Sequence, residues 1–140
     1  MAVMDFESGL EPDMQPNLDE FLLARIAEDK RIATDAARAT GRDQWTVADL
    51  PGSGPPHDQA AEHAARHDPA RILAECAAKR RLVLACRDIR PDLRFLGARP
   101  RGLADFPLSP SDQHQLAAVT LALLALPYAD HSEYRQEWRP

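Results

Sequence analysis

Leu116-Ala117-Ala118-Val119-Thr120-Leu121-Ala122-Leu123-Leu124-Ala125-Leu126 is the longest apolar run in the chain, broken only by Thr120. Its reading decides the fold. Ser109-Pro110 stands before it as a capping residue followed by proline, a pairing that opens helices, and Pro127 closes it. A helix bounded in this way carries Leu116, Val119, Leu123 and Leu126 along one stripe, flanked by Thr120, Leu121 and Leu124. Little of its circumference is polar, so it is expected at the centre of the protein. Crossing a bilayer takes about 20 apolar residues, which this run does not reach, so no membrane partner is expected.

Two further amphipathic segments are needed to enclose such a helix, and both are legible upstream. Asn17-Leu18-Asp19-Glu20 has capping-box form. From there Leu18, Leu22, Ile26 and Ala33, with Phe21, Ile32 and Ala36 alongside, recur at helical spacing, while Glu28, Lys30, Arg31 and Asp35 take the wet side. The helix is expected to run over 17–39, with Gly41 as its stop. Asp68-Pro69 repeats the cap-then-proline signal and opens a helix over 69–88. Leu73, Cys76, Arg80 and Val83 step along one of its faces, widened by Ile72, Ala77, Leu84 and Cys86, with Arg80 snorkelling from that stripe.

Shorter elements fill the intervals. Alanine-rich 57–67 is expected to form a short helix, because Ala60, Ala61, Ala64 and Ala65 have the highest intrinsic propensity. Asp130 and Glu133 at capping-box spacing start another at 131–138. Trp45 to Leu50 reads as a short extended segment. Loops are expected at 51–56 and over 90–110, the latter punctuated by Pro91, Pro100, Pro107 and Pro110. The fold class that follows is all-α: an irregular three-helix bundle with two additional short helices and long proline-rich loops.

At 140 residues the chain suits one domain. Residues 17–140 are expected to form it, and residues 1–16, which hold four carboxylates and no basic side chain, to form a disordered acidic arm. The net charge of -5 opposes nucleic-acid binding, which depends on basic contacts and released counterions. A basic stretch from Lys79 to Arg101 is the one local exception. With no basic segment leading into an apolar run near Met1, the cytoplasm is the expected compartment. Cys76 and Cys86, ten positions apart on one helix, stand about 15 Å apart along its axis, too far to form a disulfide with each other.

Candidate chemistry is sparse. His63 and His67 lie four apart on one helical face, the spacing at which two imidazoles share a transition metal, with Glu62, Asp68, His57, Asp130 and His131 as possible further ligands. No glutamate follows His63, so the metalloprotease helix motif is absent. Asp130, His131 and Ser132 hold the residue types of a hydrolytic triad, but neighbours at a helix start point in different directions, and Asp130 reads first as a cap. Tyr128, Tyr134, Arg135 and Trp138 form the aromatic and arginine grouping that anchors interfaces, or alternatively closes a core.

Two segments carry a family likeness. Ala61-Glu62-His63-Ala64-Ala65-Arg66-His67-Asp68-Pro69-Ala70-Arg71-Ile72-Leu73, continuing into Glu75 and Lys79-Arg80-Arg81, is one; Leu123 to His131 with Tyr134-Arg135 and Glu137-Trp138 is the other. Together with the helix at Leu18 to Arg25 and the tryptophan at 45, they resemble an actinobacterial family of small helical proteins, domain-of-unknown-function family 6221. The likeness spans most of residues 17 to 140. It implies kinship without an activity, and a cysteine-bearing loop that resembles a metal knuckle in relatives has no cysteine here between Asp88 and Ser109.

With no convergent catalytic set, a small non-enzymatic interaction or regulatory protein is the expected function, acting through a protein partner or as a homo-oligomer, with no obligatory cofactor. The alternative is a metal-binding protein or metal-dependent enzyme built on His63 and His67.

Overall fold

The computed structural model describes residues 17–50, 52, 58–89 and 110–140. Among them lie four α-helices and no strand, so the all-α expectation holds. The helices are α1 (Leu18–Thr40), α2 (Asp58–Arg66), α3 (Pro69–Asp88) and α4 (Pro110–Ala125). Single 3-10 turns occupy Val47–Asp49, Leu126–Tyr128 and Gln136–Trp138. No helix among the described residues is long and apolar enough to cross a membrane. The acidic arm, the loop at 51–56 apart from Gly52, and the segment 90–109 fall outside the described residues.

The chain divides into two compact units, one of residues 25–81 and the other of residues 1–24 with 82–140. In the second, the first turns of α1 (Leu18, Phe21, Leu22), the end of α3 (Val83, Cys86) and α4 pack as a bundle around a shared interior. The face α4 turns inward is not the expected one. Leu116 and Leu123 are 40% and 53% exposed, whereas Ala117, Ala118, Leu121, Ala122 and Ala125 are buried. A helix that is apolar all round does not declare its inner face, and small side chains there let neighbouring helices come close, since interaxial distance follows side-chain size. Arg87 and Asp19 face each other at 3.9 Å at the edge of the unit.

The chain's end also departs from expectation. Instead of a helix over 131–138, turns at 129–133 lead into the 3-10 turn Gln136–Trp138. The Asp130 capping box does not start a helix, because the Glu133 amide donates to His131 Nδ1 at 3.0 Å, a local bond that competes with helical pairing. The folded-back segment still delivers Tyr134 and Trp138 to the interior, where both rings meet Phe21.

In the unit of residues 25–81, Ile26 and Ala33 of α1, Ala61 of α2, and Pro69 and Cys76 of α3 are buried. Two expectations are corrected here. Trp45 to Leu50 is not extended but contains the 3-10 turn, because Asp49 accepts from both the amide and the hydroxyl of Thr46, at 2.8 and 3.0 Å. Arg80 lies exposed, so it needs no snorkelling. Gly41 ends α1 as expected, in the left-handed region at φ +76°. Nothing lies within 4 Å of where a Cβ would stand, so Gly41→Ala meets only the backbone penalty, about 1 kcal/mol, measurable by urea unfolding.

Candidate functional site

α1 and α3 flank a cleft within the unit of residues 25–81, with a volume of about 320 Å³. One wall comes from α1, with Ile32, Ala33 and Ala36 at helical spacing and Asp29 one turn earlier. The other comes from α3, with Pro69, Ile72 and Cys76 presenting apolar surface and Glu75 and Lys79 adding opposite charges. Trp45 and His67 complete the lining. Ile32, counted as core from its spacing, is instead 53% exposed and borders this cleft.

Trp45 is held in place by a small polar frame. Its indole Nε1 donates to the Arg42 carbonyl at 3.1 Å and to the Thr40 hydroxyl at 3.2 Å. Its backbone amide donates to Asp68 Oδ2 at 3.1 Å, while Asp68 Oδ1 accepts from the Arg71 amide at 3.0 Å. Asp68 is thus the expected cap of α3 and also the tether of the loop that carries Trp45. A backbone bond from Ala70 to the Asp43 carbonyl at 2.8 Å reinforces the junction.

These amide donors, Arg71 first and Trp45 next, hold the Asp68 carboxyl below its ordinary range. Folding therefore favours the ionised form. Its contribution is present above the ordinary carboxylate pKa and is lost as pH falls through the lower folded value. Asp49 shifts in the same direction through the Thr46 amide. Acidification below about pH 4 is expected to loosen the Trp45 loop, read as a shift in Trp45 emission. Asp68→Asn should flatten that acid-side transition.

The two thiols are poor nucleophiles. Burial, and then the charge of Asp29, push Cys76 up; burial pushes Cys86 up against a partly opposing hydrogen bond with Thr120. Both are free and buried, and their spacing excludes a bond between them. His63 and His67 stand together on the exposed side of the end of α2, ring centroids 4.5 Å apart and planes inclined by 34°. His67 Nδ1 lies 2.9 Å from the His63 carbonyl oxygen. Among the described residues no group of three histidine, cysteine or acidic side chains is disposed to hold a metal, so Glu62, Asp68, Asp130 and His131 do not complete a ligand set with this pair; His57 falls outside the described residues.

The model of a family of unknown function, DUF6221, matches residues 15–140. The chain belongs to DUF6221. No curated protein and no solved structure matches it. The stretch Ala61 to Leu73, which carries the likeness in sequence, holds in this DUF6221 protein the histidine pair, the Asp68 tether and Pro69 and Ile72 of the cleft wall.

The second DUF6221 segment builds an aromatic cluster in the other unit. Phe21 is its hub, with Tyr128, His131, Tyr134 and Trp138 at centroid distances of 5.1 to 6.4 Å. Tyr134 and Trp138 are buried; Tyr128 and Arg135 are half-buried, and Arg135 lies over the Trp138 ring at 5.8 Å while pairing with Glu137 at 2.7 Å. Tyr134 and Trp138 thus belong to the interior. The nearby Asp130, His131 and Ser132 form no relay, because His131 Nδ1 already accepts the Glu133 amide. Sequence reasoning did not single out Trp45 or Ile72 as site residues. Trp45 held the only usable signal, being one of just two tryptophans in the chain and set beside a loop.

Proposed function

We propose that this DUF6221 protein is a small non-enzymatic interaction protein of the cytoplasm, and that its cleft receives an apolar side chain of a protein partner. The cleft itself carries the reading. Ligand sites span roughly 300 to 1,000 Å³, and about 320 Å³ lies at the lower end, suited to one bulky side chain. Its walls are aliphatic and aromatic, with an acid and a base of α3 beside them, the composition of an anchor pocket with a polar margin. The thiol beside it stays protonated, and the nearby His67 has one ring nitrogen engaged by its own helix. Two free cysteines are compatible with a reducing compartment.

Peptides bearing a single leucine, phenylalanine or tryptophan, selected by display against the wild-type protein, provide the test. Ala36→Phe places a ring in the cleft from the α1 wall. Selected peptides are expected to lose tenfold or more in affinity for this variant, with its helix content unchanged by circular dichroism. Equal affinity for both proteins would remove the cleft as the binding surface.

A further inference from the structure

We infer that His63 and His67 form a two-imidazole clamp for a divalent late transition-metal ion, with copper, nickel and zinc as the matching chemistry. Four independent features of the pair converge on this. The rings share one helical face with centroids 4.5 Å apart, close enough for one ion to meet a nitrogen from each. Both side chains are exposed, so an ion enters without opening the fold.

The third feature is orientation. A carbonyl oxygen only accepts, so the 2.9 Å approach of His67 Nδ1 to the His63 carbonyl places the ring proton on Nδ1 and leaves the Nε2 lone pair available. Metal-ligating histidines are held in this manner, with the second ring N–H donated to a carbonyl or carboxylate that fixes the tautomer. The fourth is the local field. The pair sits in the last turn of α2 and just beyond it, where the carbonyl end of the helix dipole favours a cation.

Two protein ligands leave the remaining coordination positions to water, since among the described residues no third side chain joins the pair. The clamp is therefore an open, exchangeable site rather than a closed structural one. Affinity is expected to follow copper above nickel and zinc, the general order for nitrogen ligands. Because His67 also lines the cleft, an ion here would alter the cleft's margin, but the clamp stands whether or not the cleft binds a partner.

The test is calorimetric titration of the full, tag-free, chelator-stripped chain with cupric, nickel and zinc chlorides. Saturation near one equivalent is expected for copper, with at least tenfold weaker binding in each of His63→Gln and His67→Gln and no change in His131→Gln. Zinc should also move the ring Cε1–H resonances of His63 and His67 and leave that of His131 in place, a readout independent of heat. Absence of saturable copper binding overturns the clamp, as does binding that survives the double variant. Loss in only one of the two single variants overturns it as well, because it would show a one-histidine contact. Circular dichroism of each variant, the partly buried His131→Gln included, establishes that the fold is intact.

Discussion

Phe21→Ala is expected to lower unfolding stability by about 3–5 kcal/mol. Phe21 is 1% exposed and lies at the centre of four rings, with Trp138 at 5.1 Å, His131 at 5.5 Å, Tyr134 at 6.0 Å and Tyr128 at 6.4 Å. Removing it leaves a cavity that none of these rings can fill without leaving its own position, and forfeits edge-to-face contacts worth about 0.5–1.5 kcal/mol each beyond simple burial. A domain of this size has about 5–15 kcal/mol in total, so the variant should be partly unfolded near physiological temperature. Urea unfolding followed by Trp138 emission measures it. The neighbouring Tyr134→Phe supplies the contrast. Its Oη is buried with no hydrogen-bond partner among the described residues, so deleting the hydroxyl removes a desolvated group and should leave stability unchanged or raise it by up to about 1 kcal/mol. A loss of 2 kcal/mol or more in Tyr134→Phe would mean that the hydroxyl is satisfied and that the cluster is organised differently.

The second large effect is expected from enlarging the inner face of α4. Ala122 has no exposed surface, and Ala117, Ala118 and Leu121 beside it have almost none. Ala122→Leu inserts three carbon atoms where there is no room and should cost about 1–3 kcal/mol through displaced neighbours and strained rotamers. Leu123→Ala, one residue along, removes a side chain that is 53% exposed and should cost under about 1 kcal/mol. The pair is diagnostic because the hydrophobicity of the sequence argues the other way, with leucine as core and alanine as filler. Denaturation midpoints in the reverse order would show that α4 presents its leucine stripe to the interior.

Local signals were strong wherever a single residue decides a backbone event. Asp68-Pro69 opened α3 at the expected position, since a carboxylate acceptor and a preset φ act within one turn and need no tertiary help. Gly41 ended α1 for the same kind of reason. The cysteines, too, behaved as their spacing dictated. The candidate site was legible only in part. The His63 and His67 juxtaposition follows from helical geometry alone, whereas the cleft joins Trp45 to His67 and Ile72, 22 and 27 positions further along the chain, and no periodicity links them. Local competition defeated two expectations: the Thr46 and Asp49 pair turned a would-be extended segment into a 3-10 turn, and the His131 ring took the amide that a terminal helix needed.

By itself the amino-acid order determined that this DUF6221 chain is helical, where α1, α3 and α4 begin and end to within a residue or two, and that Cys76 and Cys86 do not pair with each other. Those outcomes depend on caps, prolines and periodicity, which act over one or two turns. Only the tertiary structure decided which side of α4 faces inward, that Tyr134 and Trp138 close on Phe21, and that a cleft opens between α1 and α3. Each of these turns on which surfaces fit closely together, and steric fit between distant segments is a property of packed pairs rather than of any one stretch of residues.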